Sequence, residues 1–179
     1  MTAEPAPWIG RFAGRVAPGG TVLDLACGGG RHAALFAARG HAVTGVDRDL
    51  SALPAGLNIE RIEADLEAGP WPLAERVFDA VVVVNYLWRP LLPRILAAVA
   101  PGGLLLYETF GVGQEALDRP RNPDFLLRER ELLETTRGPW DVLAFEQGTR
   151  PGPAMKQSLA ARRQMRFSST SSALGCGRA

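Results

Sequence analysis

The sequence of 179 residues predicts an α/β fold, a mostly parallel sheet flanked by helices and closed by a C-terminal antiparallel hairpin. Three observations predict it. Residues 21–47 read as strand, glycine loop, helix and strand within about 30 residues, which is one βαβ unit. The run Phe78-Asp-Ala-Val-Val-Val-Val84 is β-branched without interruption, as the centre of a parallel sheet covered on both faces requires. Near the C-terminus, Trp140 to Phe145 and Ala154 to Ala161 are two more runs of strand formers, joined as a hairpin by the loop 146–153.

The elements follow in order. Thr21 to Leu25 enters from the turn Pro18-Gly19-Gly20, and Cys27-Gly28-Gly29-Gly30 breaks it. Arg31 to Arg39 is rich in Ala and Leu, with Gly40 placed as a C-terminal cap. His41 to Val46 is the second strand and ends on Asp47. Ser51 to Gly56 is expected as a short helix limited by Pro54, and Asn58 to Glu63 as the third strand. Leu91 to Ala100 is expected as an apolar helix with Pro93 in its first turn. Pro101-Gly102-Gly103 then turns into the strand Leu104 to Tyr107. Residues 111–121 are polar and glycine-containing, a loop suited to covering a site. Asn122-Pro123 has the form of a helix start, and Phe125 to Thr136 is expected as that helix. Residues 168–179 have almost no core-forming content and are expected to be a disordered tail to a single domain spanning 1–167.

Composition narrows the classes. Hydrophobic residues make up 46% and charged residues 22%, and the net charge is +1, so no global field steers the chain to nucleic acid or an anionic membrane. Cys27 and Cys176 form no CxxC pair and are too few for a disulfide framework. Residues 1–10 lack a basic start followed by an apolar run, and the longest apolar stretch is strand-sized. The expectation is a reduced, cytoplasmic protein. It contains no predicted metal site, and nothing in the sequence specifies its oligomeric state.

The glycine loop carries the chemistry. Gly28 and Gly30 let backbone approach a ligand without a Cβ in the way. The helix start, Gly29 to His32, presents N–H groups. Asp47, at the end of the second strand, is placed to accept hydrogen bonds from ribose hydroxyls. These features also suit a dinucleotide: Gly28-Gly-Gly30-Arg-His-Ala33 matches G-x-G-x-x-A, and Asp47 lies 19 residues after Gly28. Asp24, inside the first strand, separates the two readings. An anion gains a pyrophosphate site nothing, whereas it favours a ligand bearing an ammonium and a sulfonium. Capping of the helix at Arg31 is the alternative role for Asp24.

Val22-Leu-Asp-Leu-Ala-Cys-Gly-Gly-Gly-Arg31 resembles the first motif of class I S-adenosylmethionine-dependent methyltransferases. Asp24, Ala26, Gly28 and Gly30 hold its marked positions, with Ala26 replacing a glycine. Thr44-Gly-Val-Asp47 resembles the second motif, whose acid binds the ribose, and Arg48 would flank the adenine. Glu63-Ala-Asp65-Leu66 resembles the third, in which an acid and the next N–H meet the adenine edge. The segment from Phe78 to Asn85 resembles the fourth, beside the methionine moiety and the transferring methyl. Pro101-Gly-Gly-Leu-Leu-Leu matches the family's fifth strand. A narrower resemblance, carried by Asn85-Tyr-Leu-Trp-Arg-Pro, Tyr107-Glu-Thr-Phe and Asn122-Pro-Asp-Phe, is to small bacterial methyltransferases of the tellurite-resistance type.

The resemblance implies the Rossmann-like class I methyltransferase fold with seven strands, S-adenosyl-L-methionine as cofactor and a small-molecule methyl acceptor. Its implied cofactor residues are Asp24, Ala26, Gly28, Gly30, Asp47, Arg48, Asp65, Leu66 and Asn85. No residue stands out as a general base, and Cys27 reads as a packed thiol. The acceptor pocket is expected from the segment around Trp8, the residues after Asn85 (Tyr86, Trp88 and Arg89) and the loop 111–121. Two other functions stay open: a non-catalytic S-adenosylmethionine-binding protein, and an NAD-dependent oxidoreductase. The latter calls for a Tyr/Lys proton donor, and Lys156 is the one lysine of the chain.

Overall fold

The computed structural model describes residues 4–165. The expected tail 168–179 and Cys176 lie outside the described residues. Seven strands form one sheet in the order β3-β2-β1-β4-β5-β7-β6. They are β1 (Thr21–Leu25), β2 (Ala42–Asp47), β3 (Ile59–Glu63), β4 (Phe78–Val84), β5 (Val99–Phe110), β6 (Trp140–Arg150) and β7 (Ala154–Arg163). The first five run parallel to one another, and β7 pairs antiparallel with both β5 and β6. This is the Rossmann-like methyltransferase fold that the sequence predicts.

The core divides by strand parity, because successive side chains point to opposite faces. Val22, Ala80, Val82, Leu104 and Leu106 pack with helices α1 (Pro7–Ala13) and α2 (Arg31–Ala37). Leu23, Val81, Val83, Leu105 and Tyr107 face the other way, with Ile95 of α3 (Leu92–Ala97) and Leu132 of α4 (Glu131–Thr135). The valine run of β4 is therefore buried on both sides, as its composition requires.

Five local expectations are corrected. Residues 51–56 form turns instead of a helix, since Pro54 and Gly56 leave too few residues to propagate one. The helix expected over 91–100 is reduced to α3, preceded by a 3-10 turn at Arg89–Leu91. The next strand begins at Val99, absorbing Pro101-Gly-Gly as an irregularity in its register with β4. The helix expected from Phe125 is interrupted. Leu127 instead pairs with the end of β5, donating to Phe110 O at 2.9 Å and accepting from Val112 N at 2.9 Å. The hairpin strands are longer than expected and leave residues 151–153 as the turn.

Helix α1 was not legible as an element. Its cue is Pro7 at the first position followed by Trp8, Ile9, Phe12 and Ala13, all buried along one face.

Candidate functional site

The first four parallel strands end around a cavity of about 360 Å³, within the range of small-molecule sites. It lies at the topological switch point, where β1 and β4 are neighbours and their connections leave in opposite directions. Ala26 follows β1, Asp47 ends β2, Asp65 and Leu66 follow β3, and Tyr86 follows β4; all line the cavity, with Arg48 and Phe125.

Two carboxylates are fixed there by backbone donors. Asp47 accepts from Gly28 N at 2.8 Å through one oxygen and from Asp49 N at 3.2 Å through the other. The acid of β2 thus also holds the glycine loop in place. Asp65 accepts from Glu67 N and Ala68 N, bonds that draw its carboxyl below the usual range. Tyr86 presents a buried hydroxyl with no hydrogen-bond partner among the described residues. Burial, with Glu67, Asp65 and Asp47 nearby, pushes this phenol well above its ordinary pKa, so it remains a neutral donor.

Of the nine residues predicted for the cofactor, Ala26, Asp47, Arg48, Asp65 and Leu66 meet on this cavity, while Asp24, Gly28, Gly30 and Asn85 do not line it. Asp24 is only 1% exposed and accepts from Ala33 N at 2.8 Å, the helix-capping role. Burial, partly offset by that bond, raises its carboxyl to about 7. Gly30 has φ +69, a left-handed conformation that favours glycine, and a Cβ there would also displace the Leu53 side chain. Its N–H closes the loop onto Cys27 O at 2.9 Å. Burial pushes the Cys27 thiol up to about 12, consistent with a packed, unreactive group.

Asn85 adopts φ +56 and its side-chain oxygen accepts from Lys156 Nζ at 2.8 Å. Lys156 also pairs with Glu108 at 3.1 Å, and Glu108 accepts from Ser158. This cluster joins the ends of β4, β5 and β7 and borders a second cavity of about 680 Å³. Trp8 and the loop residues Gln114 and Arg119, from two of the segments expected to build the acceptor pocket, line that cavity. Tyr86 belongs instead to the first cavity, and Arg89 is engaged with Glu131. The hairpin residues Arg150 to Ala154 complete the second cavity. Sequence reasoning missed them, because it is the pairing of β7 with β5 that carries the hairpin turn to this end of the sheet.

His32 accepts from Ala6 N at 3.1 Å, and burial, with Arg31 and Lys156 nearby, lowers its pKa to about 4. It is a neutral structural acceptor. Among the described residues, no group of three or more His, Cys, Asp or Glu is arranged to hold a metal, and no helix is long and apolar enough to cross a membrane.

Residues 22–103 match the methyltransferase domain family. No protein of curated function matches the sequence. Among solved structures, TehB from Haemophilus influenzae superposes with a TM-score of 0.73 at 21% identity, over 91% of this chain and 63% of that one. The 1,6-didemethyltoxoflavin-N1-methyltransferase of Burkholderia thailandensis, crystallised with 1,6-didemethyltoxoflavin and S-adenosylhomocysteine, gives 0.64 at 21% identity over 88% and 77%. The [4+2]-cyclase SpnF gives 0.63 at 18% identity over 93% and 86%. The fold is thus shared with class I methyltransferases, including the tellurite-resistance type, as the motifs imply. The chain spans less than two thirds of TehB's length.

Proposed function

We propose that the protein is an S-adenosyl-L-methionine-dependent methyltransferase acting on a small-molecule acceptor, in the cytoplasm. The observation that carries this reading is the first cavity, where Asp47 and Asp65 meet at the ends of β2 and β3, with Tyr86 beside them after β4. That set fits a nucleoside, with two carboxylates to accept from hydroxyl and amino groups. The match to the methyltransferase domain over the same strands supports the choice of cofactor. When bound, S-adenosyl-L-methionine supplies a methyl on a sulfonium, which departs as a neutral thioether as the acceptor's lone pair takes the methyl.

In this reading Asp47 accepts from the ribose hydroxyls, Asp65 and the Leu66 N–H meet the adenine edge, and Arg48 flanks the ring. Ala26, Gly28 and Gly30 shape the loop beneath, Asp24 ties β1 to the first turn of α2, and Asn85 borders the reacting end. No side chain is assigned as a base. Alignment of the acceptor and exclusion of water by α1 and the loop 111–121 lower the barrier, and neither requires a proton relay.

SpnF shows that this fold also serves a different reaction, so the test must read both binding and turnover. In thermal shift, S-adenosylmethionine or S-adenosylhomocysteine at about 100 times its dissociation constant is expected to add about 2.7 kcal/mol. For a chain of this size that raises the melting temperature by roughly 5–10 °C. A shift with NAD alone overturns the cofactor. Binding without any conversion of S-adenosylmethionine in the presence of acceptors leaves a binding protein instead.

A further inference from the structure

We propose that the methyl acceptor is a small organic anion, an apolar body bearing a carboxylate, held in the second cavity by an arginine pair. This rests on the methyl-transfer reading. The cavity lies between α1, the end of β5, the loop 111–121 and the β6–β7 turn. Trp8, Phe110 and the prolines of the hairpin turn line its walls, with Arg11 over the Trp8 ring and Lys156 over the Phe110 ring.

The charges on that wall do not balance. Five basic and three acidic residues line it. Lys156 and Glu108 neutralise each other at 3.1 Å, and Asp118 and Arg119 are exposed neighbours on the loop. Glu146 is shared: one carboxylate oxygen lies 3.0 Å from Arg11 and the other 2.6 Å from Arg150. Two guanidinium groups thus face a single carboxylate and keep one net positive charge. Arg31 has no carboxylate within ion-pair reach among the described residues. Even with Arg31 assigned to the carboxylate of the cofactor itself, the charge at Arg11 and Arg150 remains.

Both arginines have contacts beyond Glu146, although the Arg11 side chain is 59% exposed. Arg11 lies over the rings of Trp8 and Phe12, at 5.6 and 5.2 Å. Arg150 donates to Ser158 Oγ at 3.3 Å and its side chain is 29% exposed. Planar guanidinium groups match a carboxylate. A cationic acceptor would meet repulsion both from this pair and from the sulfonium.

The test uses the full chain saturated with S-adenosylhomocysteine and three probes of one shape, benzoate, benzamide and benzylammonium, read by calorimetry or ligand-observed NMR. Benzoate is expected to bind at least about tenfold more tightly than the other two, a preference that weakens with added salt. Arg150→Gln together with Arg11→Gln should abolish the preference. Glu146→Gln should strengthen benzoate binding, because it frees the pair; a purely structural role for Glu146 would not do this. Binding of none of the probes, a preference for benzamide or benzylammonium, or no gain in Glu146→Gln overturns the proposal. Failure of S-adenosylhomocysteine to bind is read separately and overturns the cofactor reading. The charge preference is then measured on the ligand-free chain.

Discussion

Tyr86 carries the sharpest test at the scale of single residues. A buried hydroxyl without a partner costs about 1–3 kcal/mol, a cost a bound ligand would remove. Tyr86→Phe is therefore expected to stabilise the ligand-free chain by about 1 kcal/mol in chemical denaturation, while weakening S-adenosylhomocysteine several-fold in calorimetry. A variant neither more stable nor weaker in binding would remove the phenol from the site. Asp47 needs a gentler change, since its carboxylate also holds Gly28 N. Asp47→Asn keeps one acceptor for the loop and removes the charge. Binding should fall roughly tenfold, the loss of a charge-assisted hydrogen bond, with the melting temperature little altered. At this scale the sequence was legible where a motif fixes both residue type and backbone position: Asp47 and Asp65 reach the cavity wall where the motif places them, whereas Gly30 packs against Leu53 and does not line the cavity. The sequence was ambiguous at Asp24, where an acid in that register satisfies a ligand or a helix equally well. Ala26 illustrates the limit: it sits at φ +54, where the motif has glycine, a strain of about 1–2 kcal/mol that no residue pattern reveals.

The segment between β5 and β6 shows what elements owe to tertiary contact. Residues 125–136 have the composition of a helix, yet only Glu131–Thr135 forms one. Arg89 explains the difference. Its guanidinium donates to Asp124 O and Leu126 O, both at 2.8 Å, and to both oxygens of Glu131 at 2.7 and 2.8 Å. The backbone carbonyls of 124 and 126 are thus drawn to a side chain 35 and 37 residues away, instead of to a helical ladder. Such a pairing leaves no local trace, whereas β1, β2 and β4 carry theirs in β-branched runs and glycine breaks. Arg89→Lys keeps the charge but loses the planar fork. It is expected to cost about 1–3 kcal/mol of stability in urea denaturation. Cofactor affinity should drop as well, because Phe125, on the clamped segment, lines the first cavity. A variant with parental stability and affinity would show that the segment holds itself in place.

For the whole molecule, two buried groups at the start of α2, Asp24 bonded to Ala33 N and His32 bonded to Ala6 N, have opposing dependences on pH. Asp24 is raised from 3.8 to about 7 by burial, so the folded chain holds a proton that the unfolded chain releases between those values. Its contribution is complete below 3.8 and is lost as pH rises through about 7. His32 behaves oppositely. Burial lowers it from 6.5 to about 4, so the unfolded chain takes up a proton that the folded chain refuses. Its contribution is complete above 6.5 and is lost as pH falls through about 4. The two windows nearly coincide and the slopes have opposite signs, so these two contributions offset one another in the parent across the overlap. Asp24→Asn, which retains an acceptor for Ala33 N, uncovers the histidine: stability should rise with pH from about 4 to 6.5, by about 1.4 kcal/mol per unit at most. His32→Gln, which retains an acceptor for Ala6 N, uncovers the aspartate: stability should fall with pH toward about 7. Urea denaturation of the three chains across this range separates the outcomes. Parallel curves for all three would mean that neither group titrates differently in the folded and unfolded states.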